Sequence, residues 1–185
     1  MRYRYATEAD AVALARLFAA NHHDALTEQQ RTAQGFVQGT FDAATLRDMA
    51  AAGELLVADD GEGGIAGLLA LSVAADMADP PAAVTGLLRA QSALAWRGRP
   101  LDEVPWLLYG PVVVDAAFRG QGVARGLFEK AVETSAGRAE ALVAFIEAGN
   151  TPSWRVHVEA FGMTPLGDYI AAGRTYHAVA TAAVF

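Results

Sequence analysis

The sequence contains no cysteine, and it is poor in charged residues. Without cysteine there is no disulfide, no thiolate nucleophile and no cysteine-bound metal. Charged residues make up 19% of the 185 positions, and acidic side chains outnumber basic ones to give a net charge of −7. A chain with this excess of negative charge lacks the basic face of a general nucleic-acid binder, so we expect no nucleic-acid partner.

Long hydrophobic runs are also missing. No stretch is apolar and uncharged over the length needed to cross a bilayer, and "MRYRYATEAD" at the start lacks the apolar core of a secretion signal. We therefore expect a cytoplasmic protein with no membrane partner. Because no helical pattern spaces His, Asp and Glu as metal ligands, we predict no metal site. Hydrophobic residues nevertheless make up 53% of the chain, which predicts one folded domain over residues 1–185.

Capping signals divide the N-terminal part into helices. Thr7 followed by Asp10, Thr27 followed by Gln30, and Asp42 each precede a helical pattern. An alternating "YRY" before the first helix predicts a short strand. After the third helix, "ELLVADD" and "IAGLLALSV" flank a turn rich in glycine and acidic residues, which predicts an antiparallel hairpin.

A long segment, residues 76–105, separates this hairpin from the next strand. It begins with "DPP", ends with "RGRPLDEVP", and carries an apolar pattern that predicts a helix over Val84–Trp96. A connection of this length in a compact domain is usually functional. We predict that it is a lid, or an insertion on the substrate side of a binding site.

The remaining sequence alternates strands and helices. "WLLYGPVVV" predicts a strand with a bulge or a splay at Gly110 and Pro111. "ALVAFIE" predicts a buried strand, and "NTPSWRVHVEAFGM" predicts a short helix with Pro152 in its first turn and an end near Gly162. Two last strands joined through Gly173 predict a closing hairpin. The whole pattern predicts an α+β fold with a mixed sheet.

The stretch "VVVDAAFRGQGVARGLFEKAV" joins a β-branched strand to an amphipathic helix through a glycine-rich turn. The dinucleotide fingerprint GxGxxG requires a third glycine where Arg125 stands. A P-loop requires lysine and then serine or threonine after its glycine, but Gly126 is followed by Leu127. A nucleotide-dependent enzyme is therefore the least favoured function, and a plain strand-to-helix turn remains an alternative to a phosphate site.

A third pattern, [QR]xxGx[GA], is matched by Arg119, Gly122 and Ala124. This stretch resembles the acetyl-CoA loop of the GNAT superfamily of N-acetyltransferases. Main-chain N–H groups at the start of a helix suit a pyrophosphate, and Asp115 is expected to be only a turn residue. The resemblance implies that acetyl-CoA is held by Val112, Val113, Val114, Arg119, Gly120, Gln121, Gly122, Val123, Ala124 and Arg125.

A second segment supports the same resemblance. Asn150 and Ser153, followed by Gly162 and Met163, match the pattern of the family's last conserved segment, and the resemblance adds Asn150 and Ser153 to the cofactor-binding residues. It also implies a GNAT-like fold, α+β or α/β in some schemes, with a mixed, mostly antiparallel sheet flanked by helices. The central strands are expected to splay and admit the pantetheine arm.

The resemblance implies a direct reaction. A primary amine would attack the acetyl thioester in a ternary complex, with main-chain N–H groups near the bulge stabilising the oxyanion. No acyl-enzyme is needed, in agreement with the missing cysteine.

Many relatives place a tyrosine in the last helix to protonate the departing thiolate. Here the segment is one residue longer than usual, so that counting forward from Asn150 puts His157 at that position, whereas counting back from Gly162 puts Val158 there. His157 is the candidate general acid, with a purely structural role as its alternative.

Glu147 and Tyr109 are the candidate bases. Either residue has a structural alternative: Glu147 could bond only the backbone at the splay, and Tyr109 could only pack. His22 and His23 follow the first helix, in the region where relatives bind acceptors, although adjacent histidines in a loop are usually just solvated.

The acceptor is expected to be a small-molecule amine or a peptide amine, and the long segment 76–105 favours the small molecule. A homodimer is compatible with the sequence. The alternative function is a non-catalytic acyl-CoA-binding sensor or interaction module on the same fold, which the missing tyrosine favours.

Overall fold

The computed structural model describes residues 1–39 and 41–183, and the chain divides into two compact units. The first unit contains Met1–Arg31, Phe36–Leu71 and Tyr109–Thr134; the second contains Thr32–Gly35, Ser72–Leu108 and the described chain from Ser135 onward. The strands are β1 (Arg2–Tyr5), β2 (Leu55–Asp59), β3 (Ile65–Ser72), β4 (Ala95–Trp96), β5 (Arg99–Pro100), β6 (Trp106–Val114), β7 (Ala141–Glu147), β8 (Thr164–Ala171) and β9 (Arg174–Ala182). The helices are α1 (Ala11–Ala20), α2 (Glu28–Gln34), α3 (Ala43–Ala51), α4 (Ala82–Ala90), α5 (Val123–Ser135) and α6 (Thr151–Trp154), which continues as a π-helix over Arg155–Ala160.

The sheet of the first unit has the strand order β1-β2-β3-β6. Strands β1 and β2 pair antiparallel with Arg2 opposite Asp59, and β2 and β3 pair antiparallel with Leu55 opposite Ala70. The hairpin that the two apolar runs predict is therefore confirmed. All five residues of β2 are buried, which places this strand in the core of the unit.

The predicted caps precede the first three helices, with a 3₁₀ turn over Glu8–Asp10 between the cap at Thr7 and α1. The main-chain N–H of Thr7 donates to the carboxylate of Asp10 at 2.7 Å, ahead of α1. Thr27 and Gln30 bond each other reciprocally before α2, and Asp42 accepts from the N–H of Thr45 at 2.8 Å in α3. Each contact satisfies N–H groups that a helix start leaves without partners.

One hydrophobic core joins α1 and α3 to the sheet of the first unit. Leu14 and Phe18 of α1 and Leu46 of α3 are buried against Leu55 and Leu68 of the sheet. The apolar spacing predicted for both helices therefore reflects the face that each helix turns to the strands.

The sheet of the second unit has the order β6-β7-β9-β8. Trp106–Leu108 of β6 run parallel to Ala141–Val143 of β7. Strands β7 and β9 pair antiparallel, and so do β9 and β8. The mixed, mostly antiparallel sheet flanked by helices confirms the predicted α+β fold class.

The helix predicted over Val84–Trp96 is wrong at its C-terminal end. The helix α4 stops at Ala90, and Ala95–Trp96 instead pair with Arg99–Pro100 in a small hairpin. The two residues between these strands have positive φ angles, 51° at Arg97 and 82° at Gly98. Two such residues form the tight turn that a hairpin requires, and the buried ring of Trp96 packs inward from it.

The segment 76–105 belongs to the hydrophobic core of the second unit. Leu87 of α4 and Leu101 are fully buried within it. The hydroxyl of Tyr169 on β8 donates to the carbonyl of Ala83 at 2.8 Å, which fixes α4 to the sheet. A lid function for this segment stays a prediction.

The backbone of strand β6 becomes irregular at Gly110 and Pro111, where the sequence predicts a bulge or a splay. Its parallel register with β7 covers Trp106–Leu108, and Gly110 follows with a φ of 111° and a cis bond to Pro111. The splay of the two strands beyond this point stays a prediction. Within the described residues, no helix combines the length and the apolar content needed to span a membrane.

Candidate functional site

The turn between β6 and α5 is held by local hydrogen bonds. The main-chain N–H of Asp115 donates to Ala66 O at 2.9 Å, which continues the contact with β3. The Asp115 carboxylate accepts from the N–H of Ala117 at 2.8 Å, as expected for a turn residue. The side-chain amide of Gln121 donates to Ala117 O at 2.9 Å. Hydrogen bonds at Asp115 and Gln121 therefore stabilise the loop at both of its ends.

Two glycines give this loop its shape. The φ angle is 72° at Gly120 and 79° at Gly122, a conformation that glycine adopts without steric cost. A Cβ atom placed on either residue would meet nothing within 4 Å. The side of the loop to which these positions point is consequently open.

Helix α5 begins directly after the second glycine. The N–H of Gly126 donates to Gly122 O at 3.0 Å. A helix leaves the N–H groups of its first turn without acceptors inside the helix, and they carry a partial positive charge. That turn contains Val123, Ala124 and Arg125, three of the predicted cofactor-binding residues, so the arrangement suits an anion.

Close packing fixes the start of α5. A Cβ on Gly67 of β3 would lie 2.9 Å from Val113 O, 3.0 Å from Val123 Cγ1 and 3.1 Å from Leu127 Cδ1. Only a glycine leaves room for β6 and α5 at these distances. The position of the loop therefore depends on a residue of β3, the strand next to β6 in the sheet.

The valines before the loop alternate between the two faces of β6. Val113 is buried in the core of the first unit, and Val112 and Val114 are half-buried. Successive residues of a strand point to opposite faces. The main-chain contacts predicted for these valines stay a prediction.

Arg119 lies where the loop meets the end of α1. Its Nη2 donates to Asn21 Oδ1 at 2.6 Å. The sequence offers no signal for this pair, because 98 positions separate the two residues and an asparagine after a helix is unremarkable. Asn21 is thus a residue of the candidate site that sequence reasoning misses.

Tyr109 is buried in the first unit. Its ring meets the ring of Phe128 edge-on, with 6.0 Å between the centroids. Burial raises the pKa of the Tyr109 phenol above its ordinary value. The phenol consequently stays protonated at neutral pH, and the role of Tyr109 as a base stays a prediction.

Asn150 caps α6 in the second unit. Its Oδ1 accepts from the N–H of Ser153 at 3.3 Å, and the residue is buried. A Cβ on Gly35 would lie 2.9 Å from this Oδ1. A larger residue at position 35 would therefore crowd the capping side chain of Asn150. The matched Asn and Ser therefore start the helix, and their contact with a cofactor stays a prediction.

After Trp154 the helix widens into its π-helical part, Arg155–Ala160. A π-helical turn holds more residues than an α-helical turn and appears often at functional sites. A wider turn of this kind would accommodate the extra residue that the resemblance implies for this segment. Such a turn agrees with the two counts, forward from Asn150 and back from Gly162, that predict His157 and Val158 at one position. Of the two, His157 is buried and Val158 is partly exposed.

His157 is held in one tautomer by Ser153. Its Nδ1 lies 2.8 Å from Ser153 O and 3.2 Å from Ser153 Oγ. A carbonyl oxygen only accepts, so Nδ1 carries the proton and Nε2 has the lone pair. Burial lowers the pKa of His157 below its ordinary 6.5. At neutral pH the imidazole is neutral, and Nε2 is a proton acceptor.

Glu147 is paired at the end of β7. Nη1 of Arg174 lies 3.0 Å from both carboxylate oxygens of Glu147. Both carboxylate oxygens of Glu147 thus have Arg174 as a hydrogen-bond partner, and the role of Glu147 as a base stays a prediction.

His22 and His23 lie in the turn after α1. His22 Nδ1 accepts from the N–H of Asp24 at 3.2 Å, and His23 Nδ1 lies 2.9 Å from an Asp24 carboxylate oxygen. In the part of the chain that the structure describes, no three His, Cys, Asp or Glu side chains gather as they would around a metal ion.

The comparison with family models decides the family. The model of the acetyltransferase (GNAT) family matches residues 15–163. The chain belongs to the GNAT family of acetyltransferases. The match includes both segments that carry the resemblance in the sequence, the glycine loop and the Asn150–Met163 stretch. No curated protein matches the sequence of this GNAT acetyltransferase.

Solved structures show the same fold at low sequence identity. YncA from Salmonella typhimurium, solved with its cofactor acetyl-CoA, shares 18% identity at a TM-score of 0.63, covering 100% of this chain and 95% of its own. A ribosomal-protein-alanine N-acetyltransferase from Brucella melitensis shares 20% identity at a TM-score of 0.62, covering 98% and 99%. A GNAT-family acetyltransferase from Streptococcus agalactiae shares 15% identity at a TM-score of 0.66, covering 98% and 94%.

The structure brings the predicted residues together in two groups. The first unit holds Tyr109, Val112–Val114 and the loop residues Arg119–Arg125, and the second holds Glu147 and the helix residues Asn150, Ser153 and His157. Sequence reasoning misses Arg174 and the hydrogen bond between Ser153 and His157. The second had a signal, since residues four apart on a helix face each other.

Proposed function

We propose that this GNAT acetyltransferase moves the acetyl group of acetyl-CoA to a primary amine. The observation that carries the proposal is the loop before α5. Its two positive-φ glycines leave one side open, and the first turn of a helix follows at once. Such a start binds phosphate groups through main-chain N–H donors. The neighbouring fold of YncA holds acetyl-CoA, which supports the same cofactor here.

The chain's own residues fit a phosphate-bearing cofactor. The main-chain N–H groups over Gly120–Ala124 would hold the pyrophosphate, and Arg119 and Arg125 would add charge-assisted hydrogen bonds. The main chain of Val112 and Val114 would bond the pantetheine amides as an added strand does. When bound, acetyl-CoA supplies an acetyl group activated as a thioester.

Two proton transfers remain for the protein. The acceptor amine has to lose a proton, and the departing thiolate has to gain one. His157 is assigned the first transfer, because its Nδ1–H is held by Ser153 and its neutral Nε2 is an acceptor. This role differs from that of a resting general acid. The imidazolium formed at His157 is then the donor for the second transfer, so the proton taken from the amine passes to the departing sulfur.

The proposed acceptor is a small-molecule primary amine. The predicted role of the segment 76–105 as a lid or acceptor-side insertion favours this class. A peptide amine is the alternative, since the neighbours include a ribosomal-protein-alanine N-acetyltransferase. A panel containing both classes, assayed with acetyl-CoA, separates them.

Cofactor binding is tested with a tryptophan in the loop. Gly122→Trp would fill the open side of the loop and hold phosphates away, so coenzyme A affinity should fall at least 100-fold by titration calorimetry. Gly63→Trp is the matched control, because Gly63 also has a positive φ and open space around its Cβ position, but lies in the β2–β3 turn. The control should bind as the wild type does.

Equal affinities for Gly122→Trp and the wild type would exclude this loop as the cofactor site. Binding that is lost in both variants would indicate backbone strain instead. Binding in the wild type without release of thiol in the presence of any amine would favour the acyl-CoA-binding sensor.

A further inference from the structure

Asn21 connects the end of α1 to the loop before α5, within the first unit. Its Oδ1 accepts from Arg119 Nη2 at 2.6 Å. This is a short contact of the charge-assisted kind. Arg119 is half-buried, so the contact is partly shielded from water and is stronger than a pair on the open surface.

The side-chain amide of Asn21 has one orientation. Its Nδ2 donates to Leu17 O at 2.9 Å. A carbonyl only accepts and a guanidinium only donates, so both contacts are satisfied only when Nδ2 faces Leu17 and Oδ1 faces Arg119. The main-chain N–H of Asn21 also bonds Phe18 O at 3.0 Å. These hydrogen bonds therefore fix the position of Oδ1, the atom of Asn21 that accepts from Arg119.

The end of α1 is a favourable place for the cation. The last carbonyls of a helix carry a partial negative charge, which attracts Arg119 as it lies against Asn21. A guanidinium offers five N–H donors in one plane. Fixing that plane before a ligand arrives lowers the conformational entropy that binding costs.

The main chain of Asn21 holds a second segment. Asn21 O accepts from the N–H of Val37 at 3.1 Å, and the N–H of His23 donates to Val37 O at 2.9 Å. The turn that follows α1, His22–Leu26, thus depends on the same residue that fixes Arg119.

We propose that Asn21 is a positioning residue that sets Arg119 for the phosphates of coenzyme A and couples cofactor occupancy to the His22–Leu26 turn. This inference rests on the proposed function, because it assigns Arg119 a phosphate contact. Asn21 itself touches no reacting atom. Its side chain acts through Arg119, and its main chain acts through Val37.

A double-mutant cycle tests the coupling to Arg119. Asn21→Ala, Arg119→Ala and the double variant are titrated with coenzyme A by calorimetry. Each single variant should bind about tenfold more weakly than the wild type, the size expected for one hydrogen bond to a charged group. The double variant should bind no more weakly than Arg119→Ala, because Asn21 has no effect once Arg119 is gone.

Losses that add in the double variant would overturn the inference, since Asn21 would then act independently of Arg119. An unchanged affinity in Arg119→Ala would also overturn it. In both cases the wild type still binds coenzyme A, so the proposed function stands. If Asn21→Ala fails to fold, Asn21→Gly replaces it, because glycine supports a helix end and still removes the Oδ1 acceptor.

Hydrogen exchange tests the coupling to the turn. Saturating coenzyme A should slow amide exchange in His22–Leu26 and at Val37 in the wild type, and should do so at least threefold less in Arg119→Ala. A purely structural cap at the end of α1 would give equal protection in both proteins, and that result would overturn the inference.

Discussion

At the scale of single residues, burial moves two pKa values in opposite directions. It lowers the pKa of His157 and raises that of Tyr109, because burial penalises the charged form of each group. At neutral pH the imidazole is left neutral, with one nitrogen able to accept a proton, and the phenol keeps its proton. Ser153 adds direction, because its carbonyl accepts from Nδ1 of His157 and so leaves the lone pair at Nε2.

His157 should make stability depend on pH. Its pKa is below 6.5 in the folded chain and rises towards 6.5 on unfolding. The unfolded state then binds more protons as the pH falls through 6.5, so the free energy of unfolding decreases. Urea unfolding between pH 8 and pH 5 should show this decrease in the wild type and a flatter dependence in His157→Gln. The same slope in both proteins would show that His157 titrates normally when folded.

At the scale of elements, a network of charges ties β1 to its neighbours. Arg4 forms two hydrogen bonds with the carboxylate of Asp10 at the start of α1, at 2.8 Å and 3.0 Å. It also donates to buried Asp59 of β2 at 3.0 Å, and Arg2 pairs with the same carboxylate at 3.1 Å. One arginine thus joins a strand, a helix start and the neighbouring strand.

Asp10 should stabilise the fold except in strong acid. Its pKa is lowered to about 2, first by the hydrogen bond from Arg4. A carboxylate with a lowered pKa stabilises the folded chain fully when the pH is above the ordinary pKa of 3.8. This stabilisation is lost as the pH falls through about 2. Asp10→Asn should lower the free energy of unfolding at pH 7 by roughly 1 to 2 kcal/mol, allowing for the partly exposed Arg4.

Denaturant unfolding at pH 7 and pH 2.5 measures the Asp10 effect. The difference between Asp10→Asn and the wild type should shrink at the lower pH. Glu62→Gln, an exposed carboxylate in the β2–β3 turn, is the control and should leave the free energy of unfolding within about 0.5 kcal/mol of the wild type. A difference for Asp10→Asn that is independent of pH would contradict the ion-pair account.

Gly67 sets the distance between β3, β6 and α5. Gly67→Ala would place a methyl group 2.9 Å from Val113 O, a backbone atom that cannot move alone. The expected cost is about 2 kcal/mol, as for overpacking in a core, measured by chemical denaturation. Gly149→Ala is the matched control, because a Cβ there meets nothing within 4 Å. Equal stability of both variants would mean that β3, β6 and α5 can move apart to accommodate the methyl group at little cost in free energy.

At the scale of the whole molecule, local signals in the sequence predict helices and strands better than they predict contacts between distant residues. The caps at Thr7, Thr27 and Asp42 are visible in the sequence because each depends on residues at most three positions apart. The end of α4 is mispredicted, because the apolar spacing up to Trp96 fits a helix and a hairpin alike. Only the tertiary burial of that ring in the second unit decides between them.

The features of the candidate site also divide into those that local sequence predicts and those that depend on distant residues. The pattern of Arg119, Gly122 and Ala124 is local, so the sequence alone is enough to predict a phosphate loop. The contact of Arg119 with Asn21 and that of Glu147 with Arg174 join distant parts of the chain, so no spacing rule predicts them. The state of His157 depends on burial, which the sequence of one helix does not reveal.

Release of free thiol from acetyl-CoA in the presence of primary amines tests the central claim most directly. The wild type should release thiol in proportion to acetylated amine for at least one acceptor. His157→Gln should bind coenzyme A unchanged and release thiol at least 100-fold more slowly, the range for loss of an acid–base group. Wild-type protein that binds coenzyme A but releases no thiol with any amine, or His157→Gln that turns over as the wild type does, would contradict the account.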